Sequence, residues 1–181
     1  MEKHMSGKHA ALVAIVGTAL AACAGKPSIP DQAIDKTFTF EEALLGKTIG
    51  KGRITTITGV DRGFTATLNG SWDGETLTLV EDFVYDDGEI DQKTWRLKKL
   101  PNGEYEGTRE DVVGTARGYR DGNTMRLEYL IDLPTGEGKT TRVGFRDVLA
   151  FQSETEIVNE ATVGYRGFRV GRVALTILPA E

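Results

Sequence analysis

Apolar and polar residues alternate along most of this chain with a period of two. Phe64, Ala66, Leu68, Gly70 and Trp72 fall on one side of such a run, with Thr65, Thr67, Asn69 and Ser71 on the other. The same alternation puts Leu77, Leu79, Phe83 and Tyr85 on one face, then Met125, Leu127, Tyr129, Ile131 and Leu133. It continues through Val143, Phe145, Leu149 and Phe151 and ends with Val173, Leu175 and Ile177. Residues two apart in an extended strand share a face, so each run predicts a strand with one apolar side. Turn dipeptides punctuate the runs: Asp73-Gly74, Asp87-Gly88, Asn102-Gly103 and Asp121-Gly122, with Thr135-Gly136 as a looser turn. Their spacing leaves room for strands of about 10–12 residues. None of the five prolines falls inside an expected strand. Thr39 and Glu42 have capping-box spacing and are followed by Ala43, Leu44, Leu45 and Gly46, which predicts one or two helical turns with a glycine stop.

Long strands joined in sequence by tight turns give an all-β fold. An open sheet of that size would leave two edges and a bare apolar face. Closing it removes both, so the expected architecture is an antiparallel up-and-down, lipocalin- or calycin-like barrel of about 8–10 strands with a short N-terminal helix. The strands are expected from about Lys47 to Leu178 within one domain covering 38–181. A two-sheet sandwich is the alternative, but its strands are usually shorter and its connections cross over.

The first two dozen residues follow a different pattern. Lys3 and Lys8 precede an apolar stretch from Ala10 to Ala22 that stops at Cys23. That is the layout of a secretory signal, and the stretch is too short to span a membrane. Leu20-Ala21-Ala22-Cys23 also matches the bacterial lipobox, with cleavage between Ala22 and Cys23 and acylation of the Cys23 thiol. The expected organisation is a cleaved signal at 1–22, then the lipid-bearing Cys23 and a flexible tether through residue 37. Ala24, rather than Asp, follows the cysteine. In a two-membrane bacterium this favours the outer membrane, with the domain facing the periplasm. Two or more acyl chains hold a protein stably on a bilayer.

Composition sharpens the picture. The chain of 181 residues carries a net charge of −5, which argues against a nucleic-acid partner. Cys23 is its one cysteine, and both histidines, His4 and His9, lie in the expected signal. A mature chain without imidazole or free thiol has no Ser-His or Cys-His nucleophile and no His- or Cys-ligated zinc or haem. The acids of Glu81-Asp82 and Asp86-Asp87 lack EF-hand spacing, and no metal or cofactor is expected. Gly114, Gly118 and Gly122 precede no helix that could hold a phosphate.

From Phe64 to Asn159 the chain resembles the uncharacterised bacterial lipoprotein family DUF3833. The resemblance rests on Glu81-Asp-Phe-Val-Tyr-Asp-Asp-Gly88, Trp95-Arg96, Gly107, Asp111-Val-Val-Gly-Thr-Ala-Arg-Gly118, Gly122-Asn123, Tyr129 and Phe145-Arg146-Asp147. Where the family pattern has two acids followed by Trp, this chain has Arg146-Asp147-Val148. The resemblance implies a lipoprotein with a lipocalin-like barrel and brings no established activity.

Parity picks out two residues. Glu81 lies between Leu79 and Phe83, and Asp147 between Phe145 and Leu149, so both carboxylates should face the interior. A buried carboxylate must be paired, protonated or wetted. Arg96, Arg109 and Arg117 are the candidate partners for an internal salt bridge. The functional reading makes the acids polar fixtures of an apolar ligand cavity, with Phe83, Tyr85, Trp95, Asp111 and Tyr129 also lining it. The expected function is therefore a membrane-anchored module that binds a lipid or other small apolar molecule in the cell envelope. A filled barrel working through its outer surface is the alternative. Catalysis by the paired carboxylates, as in glycosidases, ranks third.

Overall fold

The computed structural model describes residues 25–29, 34–136 and 138–180. The signal, Ala22 and Cys23 lie outside the described residues. A single helical turn, α1 (Phe40–Ala43), precedes the strands β1 (Gly46–Thr56), β2 (Asp61–Trp72), β3 (Thr76–Tyr85), β4 (Ile90–Lys99) and β5 (Tyr105–Thr108). These are followed by β6 (Ala116–Asp121), β7 (Thr124–Gly136), β8 (Lys139–Phe151), β9 (Ile157–Tyr165) and β10 (Phe168–Pro179). Each strand pairs antiparallel with its sequence neighbours, and β1 pairs with β10 to close a ten-stranded up-and-down barrel. The barrel expected from alternation is present, and no strand crosses over as a sandwich would require.

Four of the expected turn dipeptides sit between strands. Their glycines, Gly74, Gly88, Gly103 and Gly122, have φ between 62° and 102°, a region that costs a residue without Cβ little. The fifth turn is displaced. β7 continues through Thr135 and Gly136, and the chain reverses instead at Gly138, whose φ is 72°. Pro134 therefore lies inside β7, contrary to expectation, close to its end where the register slips between Pro134 and Gly136. A proline is tolerated where pairing is already irregular. The capping box is also absent: Thr39 makes no side-chain cap, and its buried hydroxyl has no hydrogen-bond partner. α1 is held by packing instead.

That packing closes one end of the barrel. Phe38, Phe40 and Leu44 are all but fully buried. Phe40 meets Tyr105 edge-on at 5.0 Å, and Phe38 contacts Phe151 at 5.4 Å. Glu41 is bound by both Lys99 and Tyr105. Leu68, Leu77, Leu97, Met125, Leu127 and Ile177 fill the same half of the interior. The helix rests on bare backbone, because a Cβ at Gly70 would lie 1.7 Å from the Leu44 carbonyl oxygen. Ahead of the helix, residues 25–29 cross the outer wall. The Thr162 hydroxyl donates to the Gly25 carbonyl at 3.2 Å, Lys26 donates to Tyr119 at 2.6 Å, and Arg126 donates to the Pro27 carbonyl.

Candidate functional site

Away from α1 the interior is open. A cavity of about 590 Å³ occupies the half of the barrel towards the β3–β4 and β7–β8 turns. All seven side chains singled out for the interior line it: Glu81, Phe83, Tyr85, Trp95, Asp111, Tyr129 and Asp147. Its walls are aromatic. Tyr129 stacks on Phe145 at 5.2 Å and takes Trp95 edge-on at 5.1 Å, while Phe64 meets Phe83 at 5.6 Å. Glu81 on β3 and Asp147 on β8 form the floor, since both also border a void of about 50 Å³ above Phe40 and Leu44.

Between the two acids and the mouth sits Arg109, just beyond the end of β5. Its guanidinium lies 4.7 Å from the Trp95 ring centre and 5.4 Å from that of Tyr129. Asp111 takes it in a fork, accepting from Nε at 2.7 Å and from Nη2 at 3.2 Å. Nη1 then stands 3.7 Å from Glu81 Oε2, an ion pair too long for a hydrogen bond. The Tyr129 hydroxyl donates to Asp147 Oδ2 at 3.3 Å. Glu81 Oε2 and Asp147 Oδ1 are left buried with no hydrogen-bonding partner among the described residues. Leaving such an acceptor unmatched costs about 1–3 kcal/mol.

Protonation offers partial relief. Burial pushes the Glu81 carboxyl up to about 7, with Arg109 opposing and Asp111 and Glu110 adding to the rise. Burial does the same for Asp147, to about 7, against the pull of Arg109 and the Tyr129 hydrogen bond. Tyr129 is driven well above its ordinary value by burial and then by Asp147. Burial works against the charge of Arg109, yet Tyr129, Glu81 and Asp111 outweigh it and raise its pKa. The floor is thus a pair of acids that exchange protons near neutrality, beneath a cation that stays charged. Among the described residues, no group of three or more His, Cys, Asp and Glu side chains is placed to hold a metal ion.

Of the three arginines considered as partners, the structure selects Arg109. Arg96 is exposed on the outer face of β4, and Arg117 pairs outside the barrel with Glu104. Alternation sets Arg96 outward, opposite Trp95 and Leu97, but it cannot place Arg109, which lies past the end of its strand, where period two no longer applies. Asn159 on β9 also lines the cavity, and the sequence pattern does not single it out. It sits between Ile157 and Ala161, two residues to either side, in a strand whose apolar face is short.

No curated protein matches the sequence. Among solved structures, the S-type phycobiliprotein lyase from Guillardia theta superimposes with a TM-score of 0.59 at 10% identity, over 78% of this chain and 91% of the lyase. A redesigned β-barrel bound to DFHBI aligns with a TM-score of 0.39 at 11% identity, over 75% of this chain and 98% of that one. The lyase likeness shows a shared fold; at such identity it carries no activity across. The family model described as a protein of unknown function, DUF3833, matches residues 17–178, and the chain belongs to the DUF3833 family.

Proposed function

We propose that this protein is a lipid-anchored module of the bacterial cell envelope that holds a lipid or other small apolar molecule inside its barrel. The observation that carries the reading is the half-empty interior. A cavity of about 590 Å³ with aromatic walls and a few inward polar groups has the size and composition of a small-molecule site. The resemblance in fold to a phycobiliprotein lyase is compatible with it. Anchoring rests on the lipobox ending at Cys23, and Ala24 favours the outer membrane with the barrel in the periplasm.

Native mass spectrometry of the full chain released from its own membranes tests the binding half. A retained non-covalent mass of lipid or other apolar character is expected, and a chain that is always bare and takes up no added apolar compound would reject it. Replacing Cys23 with Ser tests the other half. That variant should lose acylation and accumulate uncleaved or unattached, whereas normal processing and attachment would reject the anchor and leave the cavity reading standing.

A further inference from the structure

We infer that the ligand's polar end is a hydrogen-bond donor, a protonated amine above all, seated between Glu81 and Asp147 on the cavity floor. The inference rests on the binding role proposed above and adds the chemistry of what is bound.

It follows from the balance of charges and of unfilled acceptors within the cavity. Its two cationic side chains are both engaged. Lys93 is 3.0 Å from Asp91, and Arg109 is forked by Asp111 at 2.7 and 3.2 Å. Among the described residues Arg109 Nη1 keeps its hydrogens unbonded, but Asp111 and Glu81 already set two carboxylates against that one cation, so an incoming carboxylate or phosphate would meet more negative charge than positive there. The acceptors are in surplus. Glu81 and Asp147 both line the cavity, and each carries one buried oxygen, Oε2 and Oδ1, that receives no hydrogen bond among the described residues and that a turn of the carboxyl group would bring to a ligand. The acids nearer the mouth do not bear on this, because Glu89 and Asp132 are held from outside by Arg62 and Arg142. An ammonium on the floor would donate charge-assisted hydrogen bonds to acceptors that no protein group now fills. Its apolar body would lie against Phe83, Tyr85 and Phe145. A neutral hydroxyl could fill one acceptor, and a fatty acid neither while ionised.

Hexylamine, hexanol and hexanoate separate these cases with one shared chain. The full-length protein, held in lipid nanodiscs at about pH 8, would carry Trp72→Phe so that cavity-lining Trp95 is the reporting tryptophan. Hexylamine should quench or shift Trp95 fluorescence with an affinity at least about tenfold above that of hexanoate, with hexanol between them. Combining Glu81→Gln with Asp147→Asn should cost hexylamine about tenfold and leave hexanol within about threefold. Asp147→Asn alone should show a smaller loss, and thermal unfolding would verify that each variant is folded. Hexanoate binding as well as hexylamine, or amine binding unmoved in folded variants, would overturn the inference while hexanol binding kept the cavity reading intact. Silence from all three probes would overturn both.

Discussion

Two carboxyl groups in a low-dielectric interior must choose between charge and proton, and here one arginine settles neither fully. Asp147 is 8% exposed and Glu81 scarcely more, so each loses most of its hydration on folding. Arg109 faces both, with Tyr129 against Asp147 and Asp111 and Glu110 near Glu81. The outcome is a folded-state pKa near 7 for each acid, above ordinary values of 4.5 and 3.8. A raised pKa means that the folded state binds the proton more tightly than the unfolded chain does. The stabilisation is thus complete below about pH 4 and is lost as the pH rises through about 7. Moving from about pH 8 to pH 6 should stabilise the fold by about 1 kcal/mol per acid. At this size that is a rise in Tm of about 2–4 °C for each. The Glu81→Gln, Asp147→Asn double variant should lose that increment. A pH dependence identical to the parent's would place the acids elsewhere in the proton balance. Both acids were legible in the sequence, since each occupies a face two residues from apolar neighbours. Arg109 is one of three candidate arginines and Asp111 one of the expected lining residues, but the fork between them is not readable, because both belong to an irregular connection that alternation does not reach.

At the scale of elements, α1 shows how little intrinsic helix stability a plug requires. It has one turn and no side-chain cap, and it stays in place because Phe38, Phe40 and Leu44 are seated inside the rim. The seat is Gly70, whose missing Cβ leaves room for the Leu44 carbonyl. Gly70→Ala should force that carbonyl away, because backbone cannot yield as a flexible side chain does. A loss of about 2–4 kcal/mol is expected, in the range of the larger effects of single core substitutions. Denaturant unfolding would measure it, and a loss below about 0.5 kcal/mol would show that the seat is not a constraint. Phe40→Ala should cost about 3–5 kcal/mol by the ordinary cavity penalty, and comparing the two separates seat from filling. The Thr39–Glu42 spacing predicts the helix for a reason that does not operate, since the capping bond never forms. Its true anchor is a long-range contact with β2, which no local pattern contains. Pro134 tells the same story in reverse: its neighbours supply the register slip that tolerates it.

Closure of the whole barrel depends on β1, the strand whose pattern says least. Its inward positions include Gly50 and Gly52, so no apolar stripe marks it as a wall. The reason is steric. A Cβ at Gly52 would stand 2.3 Å from the Phe64 ring, and one at Gly50 2.8 Å from Leu175. Neighbouring strands lend their side chains to cover β1, and a hydrophobic pattern cannot show a face furnished by others. Strand number and direction were thus readable from turns and alternation, whereas the β1–β10 seam is a pairing of strands far apart in sequence and the filled half depends on where α1 seats. The plug at one end has a kinetic meaning. Among the described residues α1 stops the base and the cavity extends towards the β3–β4 and β7–β8 turns; where arrival and departure share that end, a guest that fills the space bars its successor until it has gone. Exchange should then proceed at the resident's own departure rate, unhurried by any excess of competitor, and stopped-flow displacement that quickened with competitor concentration would show that a second molecule enters before the first has left.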